Sequence, residues 1–326
     1  DGIATDTRVI HVGVNLASGT EITAADSAQF TAAINNPEVG IINLNPGTTY
    51  QIEGTEINRS LTINGNNAVV EALNGVGQSF DNQTIYHLGM PDGNGNRRYR
   101  GNIFWYVKDG GSLTVENLTL KNAATSENAQ GLTGIFAAIL LNDAADLSLS
   151  GVSFENFWFE NSKFTEQNNL YAAQGLYSTY SDMSYGVYAD YNCTGDITIN
   201  GSTFDSSNAF RDAVHIYNGN SVTINNSTFV GTSHPERLRA SDGYEYGIYL
   251  YGGNCTVTDN NISGYDSKNI TGYSSSGIAL IPYANVNATI EGNIIQGNDA
   301  GLDLTGGWKA LNPATAVKIN NIKLDT

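Results

Sequence analysis

The chain has 326 residues, with 36 Gly, 6 Pro and 14% charged residues. Asp and Glu number 32 against 15 Lys and Arg, a net charge of −17, which repels DNA, RNA and anionic membrane and excludes nucleic acid as a partner. Two cysteines, Cys193 and Cys255, supply neither a disulfide framework nor a metal-ligand spacing.

No apolar run approaches the roughly 18 residues that cross a bilayer, the longest lying around Ile135 to Leu141, so no membrane insertion is expected. The chain starts at Asp1 without Met or a signal peptide and reads as an excised or processed segment. The first predicted element is a short amphipathic helix over Ala25 to Asn36, with Phe30 and Ile34 on one side, followed by Pro37 and a first strand Val39 to Leu44. Stacked strands expose unpaired edges at an open end, so this helix reads as an N-terminal cap.

From Leu61 onward one phrase recurs: apolar, polar, apolar, a bend of Asn, Gly or small polar residues, and a further apolar residue seven positions after the first. Its copies are Leu61/Ile63/Ala68, Leu113/Val115/Leu120, Leu147/Leu149/Phe154, Ile197/Ile199/Phe204, Val222/Ile224/Phe229, Cys255/Val257/Ile262, Ala288/Ile290/Ile295 and Val317/Ile319/Leu324. Each reads as a strand, a tight bend at a pair such as Asn64-Gly65, Asn200-Gly201, Asn225-Asn226 or Asn320-Asn321, and a second strand. Asn and Gly suit the bend because they adopt positive φ at little steric cost. Ile197 and Val222 stand 25 residues apart, the shortest interval, which approximates one bare coil.

A second phrase precedes the first in the later coils: Gly186-Val187-Tyr188-Ala189, Ala213-Val214-His215-Ile216, Gly247-Ile248-Tyr249-Leu250, Gly277-Ile278-Ala279-Leu280 and Gly301-Leu302-Asp303-Leu304. It supplies a third strand per coil, and three strands per turn with inward apolar ladders is the pattern of a parallel β-helix. The expected fold is therefore all-β, a right-handed parallel β-helix with a short N-terminal capping helix. It forms a single solenoid domain over 1–326, with cap and first coil in 1–44 and extruded loops at 74–108, 157–184, 232–246 and 265–275. A β-sandwich shares the alternation but has no reason to repeat an Asn bend in phase.

If the second phrase forms one sheet, its outward residues stack from coil to coil: Tyr185, Tyr188 and Asp190, then Asp212, His215 and Tyr217, then Tyr246, Tyr249 and Tyr251. A row of exposed tyrosines with interspersed Asp, His and Arg211 suits carbohydrate, with flat apolar faces for sugar C–H groups and hydroxyls for hydrogen bonds. Loop 157–184 carries Trp158, Tyr171, Tyr177 and Tyr180, and the loop at 233–246 brings Arg237 and Arg239 to the same strand, so both are candidate groove walls. The segment Tyr265 to Ser275 adds Lys268 and Tyr273. Arg97, Arg98 and Arg100 read as a solvated loop, although local cations on so acidic a chain suit carboxylate or sulfate groups.

No catalytic or metal-binding residue is assigned. His11, His87, His215 and His234 lack metal spacing, and Cys255 falls on an inward core position. A lyase would need Ca²⁺ held by clustered carboxylates plus a basic group, and a glycosidase needs two carboxylates. Asp182, Asp190, Asp205, Asp212 and Arg211 are residues of those types, which keeps a polysaccharide lyase or glycoside hydrolase as the alternative. No cofactor is called for, and Ca²⁺ enters only with that alternative. A carboxylated polymer lying on a face with Asp190, Asp212, Asp242 and Glu245 would meet repulsion, which predicts tighter binding in mild acid than at neutral pH.

The entry DSAQFTAAINNPEVGIINL and the coil phrases RSLTINGNN, GSLTVENLTL, GDITINGSTF and NSVTINNSTF together resemble the pectate-lyase-like adhesive domains of surface proteins from lactobacilli and related Gram-positive bacteria, in particular the binding regions of serine-rich repeat adhesins. The resemblance implies a non-catalytic, secreted adhesin, attached to the bacterial cell wall through regions outside this chain. Its solenoid would act as a monomeric domain that binds polysaccharides or host glycans, with pectins and glycosaminoglycans among the acidic polymers it implies.

Overall fold

A computed structural model describes residues 19–76, 103–123, 132–135, 137–155, 159–161, 185–205, 212–231, 246–266, 275–280, 286–304, 316–320 and 323–325. One coil shows the plan of the rest. Tyr185–Ala189 is followed by Asp196–Asn200 and Thr203–Asp205, and the next strand, Asp212–Ile216, lies parallel on the first. Repetition yields an eight-stranded and a sixteen-stranded sheet, in which successive coils are neighbours. The chain is a parallel β-helix. A sandwich is excluded, because among the described residues only Phe159–Asn161 with Leu132–Gly134, and a bridge from Val76 to Ile103, pair antiparallel.

The predicted repeat is the register of the solenoid. Leu61, Leu113, Leu147, Ile197, Val222, Cys255, Ala288 and Val317 are partners in succession, from the second coil to the last described one. After the bend, Leu120, Phe154, Phe204, Phe229, Ile262 and Ile295 form a second inward column. Phe154 and Phe204 stack at 4.5 Å between ring centroids, and Phe204 and Phe229 at 5.0 Å, so identical side chains a coil apart fill the core face to face. The first copy departs from the rule. Val70, not Ala68, pairs with Leu120, while Ala68 pairs with Leu118. Its bend is longer because two residues, Asn66 and Asn67, both take positive φ there.

Later bends use one residue of positive φ each: Asn117, Gly151, Gly201, Asn226, Asp259 and Gly292. Only Asn, Asp and Gly occupy these places, the residues for which a left-handed backbone costs least. Gly292 has a second reason to be glycine, since a Cβ there would collide with the Asp259 carboxylate one coil below.

The next residue of each bend points inward, and the solenoid changes its chemistry there along its length. Leu118 and Val152 give way to Ser202, Ser227, Asn260 and Asn293, all four buried. Each polar side chain serves the coil before it: Ser227 Oγ accepts from Ser202 N at 3.1 Å, Asn260 Oδ1 from Ser227 N at 2.9 Å, and Asn293 Oδ1 from Asn260 N at 3.0 Å. Backbone donors turned inward by the bend thereby keep partners inside an apolar core, which burial demands.

The predicted cap is a helix, Ser27–Ile34, somewhat shorter than expected. Asp26 caps it by accepting from Gln29 N at 2.8 Å, and Phe30, Ala33 and Ile34 close the end of the core. Phe30 meets Tyr50 edge to face at 5.5 Å, and the Tyr50 hydroxyl donates to Ala24 O at 2.7 Å. Val39–Leu44 is a strand as predicted, but it is not the first: Thr20–Ala24 precedes the helix and pairs in parallel with Val39–Leu44. Three further strands of the eight-stranded sheet, Thr55–Ile57, Ile103–Val107 and Ala137–Leu141, precede the coils where the second phrase is legible.

Candidate functional site

The eight-stranded sheet turns Val187, Ala189, Val214, Ile216, Ile248 and Leu250 into the main core. Its other face carries Tyr185, Asp212 and Tyr246 in one register column and Tyr188, His215 and Tyr249 in the next. Asp190, Tyr217 and Tyr251 follow these strands, with Tyr217 N bonding Ala189 O and Tyr251 N bonding Ile216 O. The three predicted rows therefore do stack on one flank.

They are not exposed as predicted. Tyr188 and Asp190 are 0% exposed, Asp212 1%, and His215 and Tyr246 6% each. Pointing outward from a sheet does not place a side chain in water when large rings stand a single strand spacing apart. The His215 ring lies between Tyr188 at 5.2 Å and Tyr249 at 4.5 Å, each tilted 17° from it. Tyr185 and Tyr246 pack edgewise or tilted on this stack. The result is a second small aromatic core outside the sheet, with Asp212 Oδ2 2.5 Å from His215 Nδ1 inside it.

The partly exposed rim of this cluster is where a ligand can reach. Tyr191 and Tyr217 stand 3.9 Å apart between centroids and Tyr217 and Tyr251 4.4 Å, the latter pair 20° from parallel. Two coils earlier Asn142 donates to the Tyr106 hydroxyl at 3.2 Å. Tyr106, Asn142, Tyr191, Tyr217 and Tyr251 thus mark five successive coils, all partly exposed. Because neighbouring rings in the Tyr191, Tyr217 and Tyr251 run lie over one another, they do not offer the flat apolar platform expected from the sequence. Tyr251 Oη accepts from the Tyr249 hydroxyl at 2.7 Å.

Burial pushes the Tyr217 and Tyr249 phenols far above their ordinary range, with neighbouring tyrosines adding to the effect. Tyr106 is also raised, chiefly by burial. Phenols held neutral in this way keep their hydrogen-bonding capacity over the whole working pH range. Lys108 sits 5.3 Å from the Tyr106 ring centroid but is engaged by Glu56 at 2.8 Å.

Tyr106, Asn142 and Tyr191 were missed in the sequence. Tyr106 belongs to a coil with Phe104 in place of the small residue of the second phrase, and Asn142 and Tyr191 lie in the turns after their strands, where alternation no longer signals direction. Arg211, Arg237 and Arg239, the candidate wall residues Trp158, Tyr171, Tyr177 and Tyr180, and Asp242 and Glu245 lie outside the described residues. Asp190 and Asp212, counted above as surface charges that would repel an acidic ligand, are instead buried. Among the described residues no group of three or more His, Cys, Asp or Glu side chains could hold a metal ion. Cys255 is a core residue, and Cys193, without a role in the sequence, is buried too.

Fold and register define a parallel β-helix of the kind found in polysaccharide lyases. The PL6 family alginate lyase AlyGC matches 97% of this chain with a TM-score of 0.51 at 14% identity, and a single-substitution variant of it matches 99% with a TM-score of 0.49 at 13% identity. The chain spans 41% of the length of that lyase, and the likeness is one of fold. Residues 21–185 match the family described as "Putative pectate lyase-like adhesive domain", and the chain belongs to that family. No curated relative matches it.

Proposed function

We propose that this chain is the glycan-binding module of a bacterial surface adhesin and that the tyrosine flank of its eight-stranded sheet is the binding face. One observation carries the reading: five successive coils of an adhesive-family solenoid present partly exposed tyrosine or asparagine on one flank. A passive stalk has no need of such a row. Its outer positions would carry the Thr, Ser and Asn found on the other outward columns, such as Thr62, Thr114, Ser148, Thr198 and Thr223. No helix among the described residues is long and apolar enough to cross a membrane.

Polysaccharides and host glycans are the ligand class, with carboxylated polymers such as pectin included. Protonating such a polymer in mild acid lowers its repulsion from a chain of net charge −17, so retention should rise as pH falls. A second reading, a polysaccharide lyase or hydrolase, is favoured by one specific feature, the Asp212–His215 pair inside the aromatic cluster. A carboxylate that orients an imidazole is the arrangement of many general bases.

Incubation with polygalacturonate and Ca²⁺ at about pH 4.5, where carboxyls are still partly protonated, and at about pH 7, where they are fully ionised, separates the two readings. Protein retained on polymer of unchanged chain length supports the adhesin, and retention greater at the higher pH would refute the repulsion argument. Shortened polymer makes the chain an enzyme and directs mutagenesis to His215 and Asp212.

A further inference from the structure

Sugar-binding aromatic residues ordinarily offer a ring face, but the Tyr217 ring is flanked by Tyr191, tilted 31° from it, on one side and by the stacked Tyr251 on the other, which removes that option at the centre of the run. What a partly exposed tyrosine shows when its faces are covered is its edge, and the polar handle of that edge is the phenol hydroxyl. Successive coils are about 4.8 Å apart, comparable with the advance per residue of an extended sugar chain. The row from Tyr106 to Tyr251 crosses five coils, so it runs along the solenoid axis for about 19 Å.

Resting on the glycan-binding reading, we infer that the tyrosine row binds a linear polysaccharide laid along the solenoid axis. The chain is held edge-on by phenol and amide groups at one contact per coil, not stacked on ring faces. Single sugars then gain one contact each, whereas a chain of about five residues can use every level. Affinity arises from repetition, and each contact is a modest hydrogen bond in a partly wet site. Because burial keeps the Tyr217 phenol neutral, its contribution is independent of pH in the ordinary range.

Substitution of tyrosine by phenylalanine separates edge from face, since it deletes the hydroxyl and leaves the stack intact. Binding of oligogalacturonates and of neutral cello-oligosaccharides, each from dimer to octamer, would be measured by calorimetry for the wild type, Tyr217→Phe, Tyr251→Phe and Tyr217→Ala. The wild type is expected to bind at least one series, with affinity that climbs with length and levels off near the pentamer. Tyr217→Phe should weaken the long oligomers by up to about tenfold, nearly as much as Tyr217→Ala, while far-ultraviolet circular dichroism and melting temperature of Tyr217→Phe stay near wild type. Wild-type binding that survives both phenylalanine substitutions but is lost in Tyr217→Ala overturns edge-on recognition and leaves the glycan-binding reading standing. Affinity already saturated at the dimer overturns the axial arrangement. Failure of the wild type to bind either series overturns this inference together with the reading beneath it.

Discussion

Replacing Asn260 by alanine tests whether the inward polar ladder holds the coils in register. Asn260 is 1% exposed and joins three coils. Its Oδ1 accepts from Ser227 N at 2.9 Å, while Nδ2 donates to Ile224 O at 3.0 Å and to Asn293 Oδ1 at 2.9 Å. Alanine leaves Ser227 N–H and Ile224 C=O buried without these partners, whereas Asn293 Oδ1 keeps the bond from Asn260 N at 3.0 Å. At about 1–3 kcal/mol for each orphaned group, and with partial relaxation of the small space left behind, the loss should be about 3 kcal/mol. Asn260→Ser should restore part of it, because Ser202 and Ser227 fill the equivalent place in earlier coils. Urea denaturation followed by circular dichroism gives the comparison through the shift in midpoint. Asn260→Ala within about 0.5 kcal/mol of wild type, the range of ordinary surface substitutions, would show that the ladder contributes no register energy.

Two other consequences follow from burial. Burial raises the Cys193 thiol from 9.0 to about 11 and that of Cys255 to about 12. The folded state therefore holds these protons more tightly than the unfolded one. Their contribution to stability is complete below about pH 9 and lost as pH rises toward 11 and 12, so melting temperature should fall across that window, and less steeply in a Cys193→Ala, Cys255→Ala double variant. Neither thiol should react with an aromatic disulfide reagent at pH 8 until denaturant is added; rapid labelling of the native protein would contradict their placement. Asp212→Asn weakens the charge-assisted contact to His215 inside the aromatic cluster and should cost about 1–3 kcal/mol, read as a lower melting temperature. An unchanged melting temperature would mean that the pair contributes nothing to the cluster.

Much of this architecture is legible in the chain because a solenoid repeats a local rule. Leu61 through Val317 recur in phase, and the residues able to take positive φ mark the bends, so strand, bend and coil can be read without knowing what lies opposite. The rule weakens where the first coils are irregular. The two extra residues in the bend after Asn64 put Val70 in the slot expected for Ala68, and Thr20–Ala24 hides before the cap because a lone edge strand has no repeat to announce it. The tyrosine flank is legible as a set of columns, but its burial is not.

By itself, then, the sequence determined the parallel β-helix, its capping helix, the inward ladders and which residues leave the eight-stranded sheet on its outer side. Alternation and φ preference belong to a few consecutive residues, and those suffice. Only the tertiary structure decided what the outward residues can do. Whether Tyr188 or Tyr217 meets solvent, and whether a ring shows its face or its edge, depend on rings one coil away, separated in sequence by 25 residues or more. Stacking at a single strand spacing is a property of neighbouring coils, and no one coil encodes it.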